Sequence, residues 1–316
     1  MTTGAATGVA TGAGAGVVYL DGRVAPRGDA RLSPDDRGFL FGDGVYEVAR
    51  AVDGRFFALD AHLARLTRGA AALGLAAPGP AELVAIWEEL LQANGLRAGE
   101  ALAYAQVTRG AAPRSHAFPA ATPPTVYAYV QRLEPPDGLR ARGAACVTYP
   151  DLRWGRCDLK TVNLLPNVLA RQAAAAAGAF EAVLVRAPGG GEWPEGPLVG
   201  DVPPPDDAGV VTEGSLSSVF AVAGGELRTH PLGPRVLPGV TRAEVLALAA
   251  ELGVPAREAP VTLAELRAAD EVFVANTTAD VMPVVALDGR AVGGGAPGPV
   301  ARRLGEALAA RVGRRR

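Results

Sequence analysis

Lys160 is the single lysine among the 31 lysine and arginine residues of this 316-residue chain. Arginine can replace lysine in a salt bridge or on a solvated surface, but its guanidinium stays protonated and forms no imine. A lysine amine is needed for Schiff-base formation, general base catalysis and point contact with phosphate. The count alone leaves two interpretations open, an amine kept for such chemistry or a leftover lysine in an arginine-rich sequence.

Three segments have residue types suited to phosphate. Thr241-Arg-Ala-Glu244 has capping-box spacing and follows Gly239, which predicts a helix N-terminus with free N–H groups and a positive dipole end. Asn276-Thr277-Thr278 adds hydroxyl and N–H groups at a predicted strand end. Arg65 follows His62 by three residues on one predicted helix face and could make bidentate phosphate contacts. An ordinary capped helix, a polar turn and a solvated helix face are the respective alternatives.

Two further segments have residue types suited to an amino acid and a nitrogen heterocycle. Arg114 and His116 lie in a Gly/Pro-containing loop between predicted strands, where a cation and an imidazole could bind a carboxylate. Glu213 precedes 214–218, which contain a glycine and three serines, and a carboxylate beside such small hydroxyl residues could hold a protonated ring nitrogen. A polar, solvent-exposed loop and an acid at the end of a loop are the ordinary alternatives.

The hydrophobic patterns that must position these groups predict an α+β fold with many antiparallel strands. Hairpin turns are predicted at Asp53-Gly54, Gly224-Gly225 and Asp288-Gly289. The predicted helices start at Asp60, as N-cap, and cover 80–94, 166–177, 241–252 and 299–312. The predicted strands include 17–20, 45–52, 101–108, 125–133, 144–148, 181–186, 216–222, 226–230 and 271–276.

Changes in composition predict the domain limits. Residues 1–16, rich in Gly, Ala and Thr, are expected to form a disordered extension. A small N-terminal domain is expected over 17–133, a linker over 134–138 and a C-terminal domain over 139–316. The Pro- and Gly-rich segment 187–207 is expected to be a surface insertion.

The composition argues against several classes of protein. A net charge of −2 shows no electrostatic signature of a partner that is a nucleic acid or an anionic membrane. The two cysteines, Cys146 and Cys157, suggest neither a disulfide framework nor a metal site. No apolar run reaches membrane-spanning length and the N-terminus does not resemble a signal peptide, so a cytoplasmic location is expected.

Six stretches in chain order give a more specific signal than any single residue. They are 36–48 (DRGFLFGDGVYEV), 106–116 (QVTRG and PRSH), 151–165 (DLRWGRCDLK and NLL), 211–215 (VTEGS), 239–241 (GVT) and 273–278 (FVANTT). The set resembles the fold-type IV (class IV) aminotransferases, which use pyridoxal 5′-phosphate, and within them most closely the bacterial D-amino-acid transaminases. An imine-forming lysine, a phosphate site, a ring-nitrogen carboxylate and a carboxylate clamp are what this cofactor and an amino acid require.

The resemblance implies a smaller N-terminal α/β domain and a larger C-terminal domain with a mainly antiparallel, barrel-like β core flanked by helices. It implies that Lys160 forms the internal aldimine with the cofactor and then moves the proton at the substrate α-carbon. Glu213 is implied to pair with the pyridine nitrogen.

Further roles are implied residue by residue. The implied phosphate ligands are Arg65, the backbone of Val240 and Thr241, and Thr277, while Ser217 aligns with a small residue near the cofactor. Tyr46, Arg114 and His116 are implied to bind the substrate α-carboxylate. In the family the loop with the last two residues comes from the partner subunit, so a homodimer is expected.

The activity that the resemblance implies is ping-pong transamination between D-amino acids of the D-alanine or D-glutamate type and 2-oxo acids. Within the family, an L-branched-chain aminotransferase, an (R)-amine transaminase and an aminodeoxychorismate-lyase-like enzyme are the alternatives. A non-catalytic module that binds pyridoxal phosphate is an alternative from another class. The insertion 187–207 and the extension 1–16 depart from the compact family pattern.

Overall fold

The computed structural model describes residues 16–190, 197–200 and 202–313. The predicted extension, apart from Gly16, and parts of the predicted insertion therefore lie outside the described residues. Within them, the chain divides into two compact units. The N-terminal unit runs to Glu134 and also takes in Leu159–Leu164, and the C-terminal unit contains Pro135–Asp158 and the chain from Leu165 onward. Lys160 thus belongs to the N-terminal unit, although the expected domain limits placed it in the C-terminal domain.

The N-terminal unit contains a six-stranded antiparallel sheet in the order β2-β1-β6-β5-β3-β4. Its strands are β1 (Val17–Leu20), β2 (Arg23–Pro26), β3 (Gly44–Val52), β4 (Arg55–Phe56), β5 (Glu100–Thr108) and β6 (Thr125–Arg132). Its helices are α1 (Arg37–Phe41), α2 (Leu59–Ala72) and α3 (Pro80–Ala93). The hairpin between β3 and β4 turns at Asp53-Gly54, as predicted. Asp53 (φ 48°) and Gly54 (φ 74°) are both left-handed, as in a type I′ turn.

Alternation along β3 gives the sheet of this unit two different faces. Val45, Ala49 and Ala51 point into a core that also contains Leu66 of α2 and Trp87 of α3. Side chains on the other face of β3, β5 and β6 include four tyrosines, which are Tyr46, Tyr104, Tyr127 and Tyr129. The helices therefore cover one face, and the aromatic residues form the other.

The C-terminal unit contains a curled, mainly antiparallel ten-stranded sheet, as expected for the fold class. Its strands are β7 (Ala144–Pro150), β8 (Glu181–Arg186), β9 (Val210–Gly214), β10 (Ser218–Ala223), β11 (Glu226–Thr229), β12 (Ala256–Glu258), β13 (Val261–Thr262), β14 (Glu271–Asn276), β15 (Asp280–Leu287) and β16 (Arg290–Ala291). Its helices are α4 (Asp137–Arg142), α5 (Leu165–Ala176), α6 (Val240–Glu251), α7 (Leu263–Arg267) and α8 (Pro299–Val312). Among the described residues of this sheet, the parallel pairs are β7 with β8, β7 with β15, and β11 with β12.

Two predicted helix starts are wrong. Helix α2 begins at Leu59, and its N-cap is the left-handed Ala58 rather than Asp60. Helix α6 has Gly239 as its N-cap and no side-chain cap, so Thr241 already lies within the first turn. The capping box instead lies at the start of α7, where Thr262 and Glu265 exchange hydrogen bonds. The spacing predicted Thr241 as the cap because spacing carries no information on where the hydroxyl points, towards the free N–H groups or into the protein interior.

Other differences are smaller. The predicted strand 216–222 begins only at Ser218, because the Gly214 N–H donates to the Ser217 carbonyl and closes a bend. Strand β9 and helix α7 have no counterpart in the prediction, and α4 begins inside the predicted linker. Within the described residues, none of the helices combines the length and the apolar character needed to cross a membrane.

Candidate active site

Lys160 lies beside the first residues of β3. The Tyr46 N–H donates to the Lys160 carbonyl over 3.0 Å, and the Val162 N–H donates to the Gly44 carbonyl over 3.0 Å. These main-chain bonds attach the segment to the strand and place the Lys160 Nζ 4.2 Å from the centre of the Tyr46 ring. Lys160 and Tyr46, implied to bind cofactor and substrate respectively, are thus side-chain neighbours.

Tyr46 belongs to the aromatic face of the sheet. Its ring stacks on Tyr104, with ring centres 5.6 Å apart, and Tyr104 stacks on Tyr129 at 4.8 Å. Burial, together with the neighbouring tyrosines, raises the pKa of Tyr104, so its hydroxyl remains protonated and donates to Gln106 over 2.7 Å. The stacking therefore holds the uncharged Tyr46 ring rigidly beside Lys160.

Arg65 lies on the opposite, helix-bearing face. Its Nε and one terminal nitrogen donate to the two oxygens of Glu47 over 2.9 and 2.6 Å, and His62 Nδ1 lies 3.0 Å from the same carboxylate. Burial opposes the charge on Glu47, but Arg65 and His62 outweigh it and lower the pKa of Glu47 to about 2. His62 and Arg65 share one helix face, as predicted, and both side chains contact Glu47.

Arg114 and His116 are exposed in the loop between β5 and β6. The ring of Phe41, at the end of α1, lies 5.5 Å from the His116 ring centre and 5.4 Å from the Arg114 guanidinium carbon. The two candidate carboxylate ligands therefore flank one aromatic ring, which keeps their side chains on the same side of the loop.

Glu213 lies near the end of β9 in the C-terminal unit. Its carboxylate accepts a close hydrogen bond from the Arg153 guanidinium and bonds from the Leu237 N–H over 3.2 and 3.1 Å. Burial raises the pKa of the Glu213 carboxyl, and Arg153 and the Leu237 amide oppose that rise. Glu213 is thus a buried acid that needs positive partners to carry its charge.

A second carboxylate binds other nitrogens of the Arg153 guanidinium. Asp151 is fully buried and accepts from the Arg153 Nε over 2.8 Å and from a terminal nitrogen over 3.0 Å. Thr212, on β9, donates to the same carboxylate over 2.8 Å. Burial opposes ionisation of Asp151, but the bonds from Arg153 prevail and lower its pKa. Asp151, Arg153 and Glu213 form a buried row with two negative charges and one positive charge when all three are ionised.

The start of α6 lies next to Glu213. Leu237, whose N–H contacts Glu213, is two residues before Gly239. A Cβ at Gly239 would lie 2.8 Å from the Ser218 hydroxyl, so a side chain there would force Ser218 to move, and glycine lets the helix start approach β10 closely. Val240 and Thr241 follow in the first turn, where backbone N–H groups and the helix dipole favour an anion.

Thr277 lies in the turn after β14. The Asn276 side-chain oxygen accepts from the Thr278 N–H over 3.0 Å and from the Ala279 N–H over 2.7 Å, which fixes the turn. Ala275 pairs with Ser218 across β14 and β10, so this turn comes off the same end of the sheet as the start of α6. The structure therefore gathers Glu213, the α6 start and Thr277 in one region of the C-terminal unit.

Ser217 contacts a buried acid. Its hydroxyl donates to Glu181 over 2.8 Å, and the Ser215 hydroxyl and the Leu216 N–H bind the same carboxylate. A Cβ at Gly214 would overlap the Ser217 hydroxyl and lie 3.1 Å from Glu181. Ser217 thus stabilises the bend that follows Glu213.

Three of the charged residues that hold these groups, Glu47, Arg153 and Glu181, were not predicted from the sequence. Glu47 and Arg153 lie inside the motif stretches 36–48 and 151–165, and Glu181 opens β8. The signal that could have identified them is their position, because each is a charged residue inside a motif stretch or a predicted strand. Their partners could not be predicted from the sequence, because they lie 18 residues from Glu47, 60 from Arg153 and up to 36 from Glu181.

Comparison with known proteins adds an independent observation. The model of the family described as amino-transferase class IV matches residues 44–197 and 205–287, which is more than half of the chain.

The chain belongs to the class IV aminotransferases.

This aminotransferase is 41% identical to a D-alanine aminotransferase of Bacillus licheniformis over 292 residues, which are 92% of this chain and 95% of that protein. It is 38% identical to a D-alanine aminotransferase of Staphylococcus haemolyticus, with 92% and 95% covered. Among solved structures, the T.th. branched-chain amino acid aminotransferase with pyridoxamine 5′-phosphate has a TM-score of 0.79 and 29% identity, with 95% of each chain covered. The gap in the family match, 198–204, falls inside the predicted insertion.

Proposed function

We propose that this aminotransferase moves the amino group between D-amino acids of the D-alanine or D-glutamate type and 2-oxo acids, with pyridoxal 5′-phosphate as its cofactor. The observation that carries the proposal is the identity of 41% and 38% to D-alanine aminotransferases along almost the whole chain. The similar solved structure named for branched-chain amino acids is 29% identical. Shared fold does not distinguish these substrates, because specificity lies in the site rather than in the scaffold.

The donor set of the C-terminal unit fits the cofactor. Glu213 offers a buried carboxylate for a protonated ring nitrogen, and Val240, Thr241 and Thr277 offer N–H and hydroxyl groups for a phosphate. Ser217 supports the bend between Glu213 and Ser218, and is proposed as a neighbour of the cofactor. Bound pyridoxal phosphate would supply an electron sink for negative charge at the substrate α-carbon.

The proposed ligands of the N-terminal unit are Lys160 and Arg65. Lys160 would hold the cofactor through its amine and then carry the proton that leaves the substrate α-carbon, which arginine cannot do. Arg65 already binds Glu47 with two nitrogens. Its role as a phosphate ligand remains a prediction, and in that role it would have to bind phosphate and Glu47 together.

We infer that Tyr46, Arg114 and His116 bind the substrate α-carboxylate. An exposed arginine and histidine that flank the Phe41 ring suit this ligand. Their exposure in a single chain also supports the proposal that they serve the site of a partner subunit in a homodimer. The cytoplasmic location stays a prediction.

Absorbance spectra test the substrate class. Purified enzyme loaded with pyridoxal phosphate is mixed separately with D-alanine, L-leucine and (R)-1-phenylethylamine, without any 2-oxo acid. Conversion of the cofactor band to the pyridoxamine band by D-alanine alone is the expected result. Conversion by L-leucine or the amine would replace the D-amino-acid assignment with the corresponding alternative. An unchanged spectrum in all three samples would favour a non-catalytic binding module.

A further inference from the structure

Three charged residues of the motif stretches, linked to one another by ion pairs, have no part in the proposed chemistry. They are the buried Arg37 and Arg109 and the partly buried Asp43, all in the N-terminal unit. Asp43 accepts from the Arg37 Nε over 2.9 Å and from Arg109 over 2.8 and 3.0 Å. Burial opposes the charge on Asp43, but Arg109 and Arg37 prevail and lower its pKa. One carboxylate thus joins two guanidinium groups.

The two terminal nitrogens of the Arg37 guanidinium face the loop that bears Arg114 and His116. They donate to the carbonyl oxygens of Ser115 over 2.6 Å, of Ala117 over 3.4 Å and of His116 over 3.4 Å. Residues 112–124 contain no helix or strand, so their shape depends on such side-chain contacts. A planar guanidinium can bind Asp43 and three carbonyls together, whereas a lysine ammonium cannot span them.

Arg109 connects the same loop to the chain that follows α2. Its terminal nitrogens donate to the Leu73 and Gly74 carbonyls over 2.8 and 3.0 Å, just beyond the last residue of α2. The ring of Phe118, within the loop, lies 3.5 Å from the Arg109 guanidinium carbon. Arg37 and Arg109, linked by Asp43, therefore tie residues 115–118 to the sheet and to α2.

Phe41 connects this network to the two candidate ligands. The Arg37 guanidinium carbon lies 4.7 Å from the Phe41 ring centre, and Arg114 and His116 flank the same ring. A shift of the loop backbone would change the positions of both ligands at once. Misplacement by about 1 Å is enough to weaken recognition of a substrate group substantially.

We propose that Arg37 is a positioning residue, which sets the affinity for the substrate carboxylate by holding the backbone from which Arg114 and His116 project. This inference rests on the carboxylate clamp proposed above. It assigns Asp43 and Arg109 the role of orienting Arg37, and it involves no contact of Arg37 with substrate or cofactor.

Steady-state kinetics of Arg37→Met and Arg37→Lys, in full-length enzyme loaded with pyridoxal phosphate, test the proposal. The substrates are D-alanine and 2-oxoglutarate. For Arg37→Met we expect the KM for D-alanine to rise about tenfold, because one ligand-bearing segment loses several charged hydrogen bonds. The kcat should change by less than about threefold, since no group at the reacting atoms is altered. Arg37→Lys should restore part of the affinity, because it keeps the charge beside Asp43.

A double variant separates a positioning role from general damage. In an Arg114→Leu background, adding Arg37→Met should raise the KM little further, because the two residues act through one clamp. Hydrogen exchange of the amides in 111–118 should be faster in Arg37→Met than in the parent enzyme, independently of activity. Arg50→Met is the matched control, since Arg50 is a buried arginine paired with Glu100 in the same sheet. It should leave the KM unchanged.

The outcomes distinguish the inference from the function on which it rests. If Arg114→Leu raises the KM but Arg37→Met does not, or if the two effects are independent, Arg37 does not position the clamp. If Arg50→Met raises the KM as much as Arg37→Met, general loosening of the sheet explains both and the inference is wrong. If Arg114→Leu leaves the KM unchanged, the clamp assignment itself fails, and the inference fails with it.

Discussion

Arg153 binds Glu213 inside the C-terminal unit, and both side chains are buried. Sixty residues separate them in the chain, and Asp151 holds the other side of the same guanidinium. The arrangement means that Glu213 cannot be considered alone. Any positive group that binds Glu213 must share its carboxylate with Arg153. The bond from Arg153 also fixes the orientation of that carboxylate.

Replacing Arg153 with methionine should destabilise the protein and impair the site. Two buried carboxylates, Asp151 and Glu213, would lose their shared counter-charge, which typically costs about 3–5 kcal/mol in the free energy of unfolding. We also expect kcat to fall by about tenfold or more, equivalent to at least about 1.4 kcal/mol in the barrier.

Urea unfolding and the absorbance maximum of the bound cofactor would measure these effects. Arg156→Met is the control, because Arg156 is exposed and pairs with Asp158 at the surface, three residues from Arg153. Its unfolding midpoint should match that of the parent. An Arg153→Met enzyme with unchanged stability and spectrum would contradict the structural role of the buried row.

Replacing Lys160 with alanine should abolish turnover while the fold remains. Lys160 is partly exposed beside Tyr46, so its loss removes little buried surface. Lys160→Arg should be inactive as well, because the guanidinium retains the charge but cannot form an imine. Circular dichroism and the D-alanine half-reaction would check both variants.

The single lysine also permits a chemical test. Borohydride reduction of the loaded enzyme should attach the cofactor permanently to the peptide that contains Lys160, as peptide mapping by mass spectrometry would show. Substantial turnover in Lys160→Ala, or a label on another peptide, would remove Lys160 from the mechanism.

Replacing Arg114 with leucine should raise the KM for D-alanine by about tenfold or more, because a charged hydrogen-bond donor to the carboxylate is lost. Cofactor binding, measured by absorbance titration of the apoenzyme, should change far less. Arg68→Leu, at an exposed position on α2, controls for the loss of one surface charge. Loss of the bound cofactor in Arg114→Leu would mean that another group binds the carboxylate.

The Glu47 carboxylate should contribute stability that depends on pH. Its pKa in the folded protein is about 2, below its ordinary value of 4.5. The contribution is therefore fully present above about pH 4.5 and is lost as the pH falls towards 2. A shift of this size corresponds to about 3 kcal/mol near neutral pH.

Urea unfolding of Glu47→Gln and the parent at several pH values would show the dependence. The difference between the two proteins should be largest near neutral pH and shrink as the solution is acidified. Glu89→Gln, at an exposed position on α3, is the control for removal of one carboxylate. A difference that grows on acidification would reverse the sign and refute the assignment.

Local chemistry made much of the fold predictable. Strand β14 and helix α8 have their predicted bounds, and the turn at Asp288-Gly289 is left-handed at both residues as expected. Apolar periodicity and turn residues act over a few positions, so a short stretch of sequence is sufficient to specify them. The start of α6 was not predictable in this way. A threonine with capping spacing at 241 and one at 262 look alike until packing decides which hydroxyl faces the free N–H groups.

The sequence by itself determined which groups this aminotransferase has available: one amine at Lys160, an acid at Glu213 and an Arg-x-His pair at 114–116. Only the tertiary structure decided how they are held, with Arg153 against Glu213, Glu47 against Arg65, and Arg37 against the loop that bears Arg114. Residue identity follows from the chain alone. Ion pairs and buried hydrogen bonds join residues that are distant in the chain, and their strength depends on burial and orientation that exist only after folding.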